Sequence, residues 1–242
     1  MMRMPLKMPR MPIDEYDMRA RLFPALLVSF PIIGFIYGAI PAARSFWGGL
    51  SGSIFEAAAL YVLMRIGRDR GARLQEKLRG LWGGMPTTIM LRHRDEYLDS
   101  HTKERYKKVL MKFSGLTFPT EAQELANLSE ADKVYDSAVR ALKERRRGKT
   151  YRLVFNENCN YGFVRNLVGL KIVGIFIIVS TLSADLLLNL RRSVEPKGVL
   201  VSAAVSLLTL LILSLMGRSS VRRSADAYAL ALLRTCESTR AT

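Results

Sequence analysis

The sequence predicts an all-α integral membrane protein, with four transmembrane helices as two hairpins and a mostly helical cytoplasmic insert. Two observations carry that expectation. The apolar residues of this 242-residue chain gather into four blocks, near 22–43, 46–64, 167–190 and 198–217, and are not spread at the spacing of a soluble core. Lysine and arginine segregate as sharply: 5 precede the first block, 22 lie between the second and third, 5 follow the fourth, and only 4 fall in the two short turns. Because such residues collect on the cytoplasmic side, both termini and the insert are expected in the cytoplasm of a bacterial inner membrane. The net charge of +16 is thereby given anionic lipid headgroups as partners, in preference to nucleic acid.

Residues 1–21 form a flexible basic segment, rich in Met, Pro and Arg, with a short interfacial helix expected over 13–21. The segment lacks the small-residue cleavage site of a removable signal peptide. The first hairpin occupies 22–66. Its leading block carries no charge, and Pro31 near the middle predicts a kink. In the returning block Gly48, Gly49, Gly52 and the alanines 57–59 offer a small surface for close helix approach.

Residues 67–165 form the insert. Tyr106, Val109, Leu110 and Phe113 recur at helical spacing and Ser114-Gly115 closes that helix. Thr120 with Gln123 has the form of a capping box. Over 129–147 Ser129 is expected to cap a helix whose apolar stripe is Val134, Ala138, Val139 and Leu142, with Arg145, Arg146 and Arg147, beside Lys143 and Lys149, loading its last turn as solvated or lipid-facing cations in preference to phosphate contacts. The run 151–155 reads as a short strand or an extended approach to the membrane. The second hairpin spans 166–217, and 218–242 continues as an amphipathic helix with Ala225, Tyr228, Ala229, Leu232, Leu233 and Cys236 on one face.

Four ionisable residues in or beside the apolar blocks are candidates for a polar or pore lining, because lipid makes them costly: Glu56, Lys171, Asp185 and Arg44. By depth, Lys171 is expected to reach Glu56 and Arg44 to reach Asp185, pairings that would also staple the hairpins together. At the junction before the third block, NENCNYGFVRNLVGLK offers Glu157, Asn158, Tyr161, Arg165 and Asn166 as residues that anchor the interface or pass a signal from insert to membrane, with the asparagines capping the third membrane helix. Cys159 and Cys236 have no CxxC spacing and no neighbouring histidine, so neither a metal centre nor a disulfide is expected. His93-Arg94-Asp95 matches a kinase catalytic loop only as a tripeptide, and no phosphate-binding glycine loop accompanies it. No catalytic residue and no cofactor is assigned.

The junction, with Glu157, Asn158, Tyr161, Gly162, Phe163, Arg165, Asn166, Leu167, Gly169, Leu170 and Lys171 in the pattern ENxxYGFxRNLxGLK, resembles that of a bacterial four-transmembrane-helix family of unassigned activity. The resemblance covers about 85–220 and implies four membrane helices around a cytoplasmic insert. In architecture alone the chain is similar to membrane effectors paired with nucleotide-signalling bacterial defence systems. The expected function is a non-enzymatic, homo-oligomeric membrane effector or channel-like component, whose insert senses a cytoplasmic protein or an anionic small molecule. The alternatives are a membrane scaffold that tethers a cytoplasmic complex, and a lipid-modifying enzyme for which Glu157, His93 and Asp95 are scattered candidates.

Overall fold

The structure, a computed structural model, describes residues 14–40, 43, 45–147, 150–191 and 194–237, with 46–52 and 54 described in their backbone alone. The described chain is 85% helix and contains no strand. Helix α1 is Glu15–Ala39, α2 is Phe46–Trp82, α3 the single turn Pro86–Ile89, α4 Ser100–Ser114, α5 Glu121–Ala126 and α6 Leu128–Arg145. Helices α7, Arg152–Leu190, α8, Pro196–Leu215, and α9, Arg218–Arg234, complete the chain.

Three of these, α1, α7 and α8, are long and apolar enough to cross a membrane, the composition of a membrane protein. Only 33%, 33% and 28% of their most apolar stretches are buried within the chain, so most of that apolar surface faces outward, as lipid contact requires. The expected second span is the first part of α2, part of which lies outside the described side chains. Both α2 and α7 are far longer than a bilayer needs. At 1.5 Å per residue, the 39 residues of α7 extend roughly 58 Å, about twice a hydrocarbon core.

That length corrects the expectation for 151–155 and for the junction. Arg152 already lies inside α7, the YRLVF run is neither strand nor extended, and the junction asparagines sit in mid-helix where they cap nothing. Asparagine costs a helix only a few tenths of a kcal/mol more than most residues, and tertiary partners offset it here. Pro31 is buried inside α1, whose irregular turn lies elsewhere, as a π-segment over Met18–Leu22.

The apolar faces meet in three clusters. In the membrane layer Ala25, Val28, Leu63, Leu167, Leu170, Ile178 and Leu213 pack together. The polar layer has its own core, in which Tyr106, Leu110, Tyr135, Val139 and Leu142 meet Ala229, Leu232 and Leu233 of α9. Between them Leu78, Tyr161, Val164, Val221 and Ala225 join α2, α7 and α9. The predicted stripe of α9 is therefore covered by the chain's own polar layer.

Close approach occurs where small residues face each other, but not at the alanines 57–59, which are exposed. A Cβ on Gly38 would stand 2.5 Å from the Gly198 carbonyl oxygen, so α1 and α8 touch backbone to backbone. Among the described residues α1 packs mainly on α7 and α8 and more lightly on α2. The capping box of Thr120 and Gln123 and the Gly115 stop of α4 form as read. Helix α6 starts two residues early: its cap is Asn127, whose side chain accepts from the Glu130 N–H at 3.1 Å, and Ser129 lies inside the helix.

Candidate functional site

The junction motif lies on α7 where four helices converge. Its residues i and i+4, Tyr161 and Arg165, share a neighbour on α2, and i+5, Asn166, faces α1. Asn166 Nδ2 donates to the Ala20 carbonyl at 2.7 Å, a carbonyl inside the π-segment, where the widened turn disturbs the usual i to i+4 pairing. On the side facing α2, Arg165 Nη1 and the Tyr161 hydroxyl both donate to Gln75 Oε1, at 2.5 and 3.1 Å, and the Arg165 guanidinium lies 5.5 Å from the Tyr161 ring centre. Tyr161 stacks on Tyr228 of α9 at 6.3 Å with the ring planes 5° apart. One helical turn further on, a Cβ on Gly169 would stand 2.7 Å from the Gly71 nitrogen. The spacing thus joins α1, α2 and α9 to α7 within three turns. Tyr161, Arg165 and Asn166 are brought together; Glu157 is half-buried and has no hydrogen bond or ion pair among the described residues, and Asn158 points into a neighbouring cavity.

That cavity, about 530 Å³, opens between the end of α6, the start of α7, the N-terminal turn of α1 and α9. Val154, Phe155 and Leu232 form its apolar wall, Tyr16 and Tyr228 its aromatic faces, and Lys143, Arg146 and Arg147 its cations, with Asp14 and Glu144 at the edge. Arg146 is only 4% exposed, which corrects its reading as a solvated cation. Its Nη1 donates to the Tyr151 hydroxyl and its Nη2 to the Thr235 carbonyl at 3.3 Å, while its Nε finds no acceptor. Lys143 Nζ stands 5.7 Å from the Tyr228 ring centre with no acid in ion-pair reach among the described residues, and burial lowers its pKa below the ordinary lysine value. Burial likewise pushes the Tyr228 phenol up to about 12. The sequence signal for Arg146 was its place four residues after Leu142, on the continuation of the buried stripe.

In the membrane layer the expected pair of Lys171 with Glu56 does not form among the described residues. Lys171 Nζ donates instead to the Met216 carbonyl at 3.1 Å, placing a cation on the carbonyl end of α8, where the helix dipole favours it. Glu56 lines a largely apolar cavity of about 360 Å³ with Ser29, Ile33, Ile36, Tyr37 and Ser53, and has no ion pair among the described residues. Asp185 is 4% exposed, deeper than expected, and among the described residues its Oδ2 has no hydrogen-bond partner. Gly174 packs on Leu213 and Thr181 Oγ1 lies 3.4 Å from Ser206 Oγ; the same antiparallel register, one turn on, sets Asp185 opposite Ser202, whose buried hydroxyl is also unpartnered. Arg44, its expected partner, lies outside the described residues.

The remaining candidates have structural employment. His93 Nε2 lies 3.0 Å from the Pro119 carbonyl and 2.8 Å from Lys107 Nζ, and its N–H donates to Glu124. Glu124 also accepts from the buried Tyr135 hydroxyl at 2.7 Å, and Arg92 clasps Asp132 through Nε and Nη2 at 2.9 and 2.6 Å. Burial alone would raise the Glu124 carboxyl, but the bonds from Tyr135 and the His93 N–H hold it below the usual range. Asp95 offers its backbone carbonyl to Lys103 and its side chain to the Tyr97 N–H, so His93, Asp95 and Glu157 share no site among the described residues. Cys159 and Cys236 are buried, and burial pushes both thiols up, Cys236 to about 12, the opposite of an activated nucleophile. Among the described residues no three His, Cys, Asp or Glu side chains gather as a metal site. The chain matches no protein-family model, no curated protein and no solved structure.

Proposed function

We propose that this chain is a multi-pass effector of the bacterial inner membrane, non-enzymatic and channel-like, with both termini and the polar layer in the cytoplasm. The observation that supports it best is the junction on α7, where Tyr161, Arg165 and Asn166 lock α1, α2 and α9 to a helix that continues without a break into the membrane layer. A displacement of the polar layer is thereby carried along α7 as a rigid rod, since the helix offers no loop to absorb it. Toward its far end lie two acids that have no partner among the described residues, Asp185 and, on α2, Glu56. A carboxylate so placed is expensive in lipid and is retained where it meets ions, protons or a partner subunit. The exposed face of α2 around Phe55, Ala58 and Tyr61 suits a second copy of the chain, which would complete a lining that one copy leaves open.

The experiment is ion flux through liposomes holding the purified oligomer. Wild-type protein should pass monovalent ions, and Glu56→Gln should assemble normally yet pass them at least tenfold more slowly. Equal flux in both, or none in wild type under any cytoplasmic ligand, would remove the channel reading and leave a scaffold.

A further inference from the structure

The cavity between α6, α7, α9 and the first turn of α1 has the chemistry of a ligand site, and the junction already described does not use it. We infer that it binds a small organic phosphate: an anionic phosphoryl group held by Lys143 and Arg146, attached to an apolar or aromatic body lying between Tyr16, Phe155 and Tyr228. Three features lead there. The cavity has the size of small-molecule sites and the composition they share, an apolar wall with a few convergent polar groups. Its central cation, Lys143, is desolvated beside the Tyr228 ring with no acid in ion-pair reach among the described residues, Asp136 acting on it only from further off, an arrangement that an incoming anion relieves. Behind it Arg146, more than nine-tenths buried, keeps an Nε–H with no acceptor among the described residues, although buried donors are nearly always satisfied. The two acids at the rim do not close the site. Glu144 is paired outward with Arg147 at 3.3 Å, and Asp14 is spent in capping α1 through the Asp17 N–H at 2.7 Å.

The position gives the ligand a consequence. It would bridge these four elements, one turn or two from Tyr161 on α7 and on the same Tyr228 that stacks against it. In this respect the inference rests on the effector reading, since the ligand supplies that effector's cytoplasmic input; binding itself does not depend on it.

Binding of phenyl phosphate and of inorganic phosphate to the full-length protein in phosphatidylcholine nanodiscs, by isothermal titration calorimetry, tests the site, with a parallel arm in which the nanodiscs contain phosphatidic acid. Phenyl phosphate should bind at least tenfold more tightly than inorganic phosphate. Lys143→Gln, a half-buried position that can be changed without opening the core, should weaken it roughly ten- to hundred-fold while Lys143→Arg retains most of the affinity. Phosphatidic acid that competes with phenyl phosphate would identify a lipid headgroup as the source of the same phosphoryl group; no competition would identify a soluble ligand. Absence of binding by both phosphates and by phosphatidic acid, or binding unchanged in Lys143→Gln, would overturn the site and leave the effector reading standing. Binding without any change in ion flux would keep the site and remove the effector reading.

Discussion

At the scale of single residues, the informative groups are those whose polar atoms lack partners or whose burial shifts their titration. Asp185 Oδ2 and Ser202 Oγ are both buried and have no partner among the described residues, an arrangement that costs about 1–3 kcal/mol for each group left unsatisfied. Asparagine at 185 keeps the shape and adds a donor, so Asp185→Asn should leave the melting temperature in detergent unchanged or raise it, while ion flux falls; a melting temperature several degrees lower would show that the carboxylate has a stabilising partner. Cys236 and Tyr228 make a second case. Both stay protonated in the folded chain up to about 12, whereas the unfolded chain releases their protons from 9.0 and 10.0. The unfolded state then binds fewer protons, so their contribution is complete below pH 9.0 and is lost as pH rises toward 12. Stability followed across that window by thermal unfolding should decline, and Cys236→Ala should make the decline shallower; an unchanged slope would mean that the thiol is not held as described.

At the scale of the helices, the junction makes the sharpest demands. Gly169 and Gly71 bring α7 and α2 into backbone contact, so Gly169→Val should cost about 1–3 kcal/mol by overpacking. Gly80, also on α2, has nothing within 4 Å of an added Cβ, and Gly80→Ala should instead stabilise by about 0.5–1 kcal/mol through helix propensity. Opposite signs for two glycines of one helix pair would confirm the contact; equal effects would refute it. Asn166→Ala should leave the Ala20 carbonyl unsatisfied and raise amide exchange over 15–22 ahead of the rest of α1. Much of this layer was legible in the sequence, because local signals govern it: the Thr120 capping box, the Gly115 stop, and the stripe from Ala225 to Cys236 depend on residues a few positions apart. What was not legible depends on distant partners. Asn166 reads as a helix-end residue until its partner on α1, the Ala20 carbonyl, is known. The small-residue pattern at Gly38 and Gly198 does not reveal that each is the other's neighbour. Lys143 and Arg146 looked like ordinary C-terminal cations because only tertiary packing puts them under cover.

At the scale of the whole molecule, two long helices, α2 and α7, link a membrane layer to a polar layer with a core of its own. The segregation of charge and apolar blocks made this division visible from composition alone, although the length of the connecting rods was not. If the polar layer is the input and the acids in the membrane layer are the output, the two must lie on and across one bilayer with α7 between them. The most direct test is the sidedness of two exposed positions in a protein whose native cysteines are buried. Lys133→Cys in the polar layer and Glu195→Cys in the connection between α7 and α8 are labelled with a membrane-impermeant maleimide in sealed inside-out and right-side-out vesicles. The account predicts that Cys at 133 reacts only in inside-out vesicles and Cys at 195 only in right-side-out ones. Reaction of both positions from the same side would contradict it.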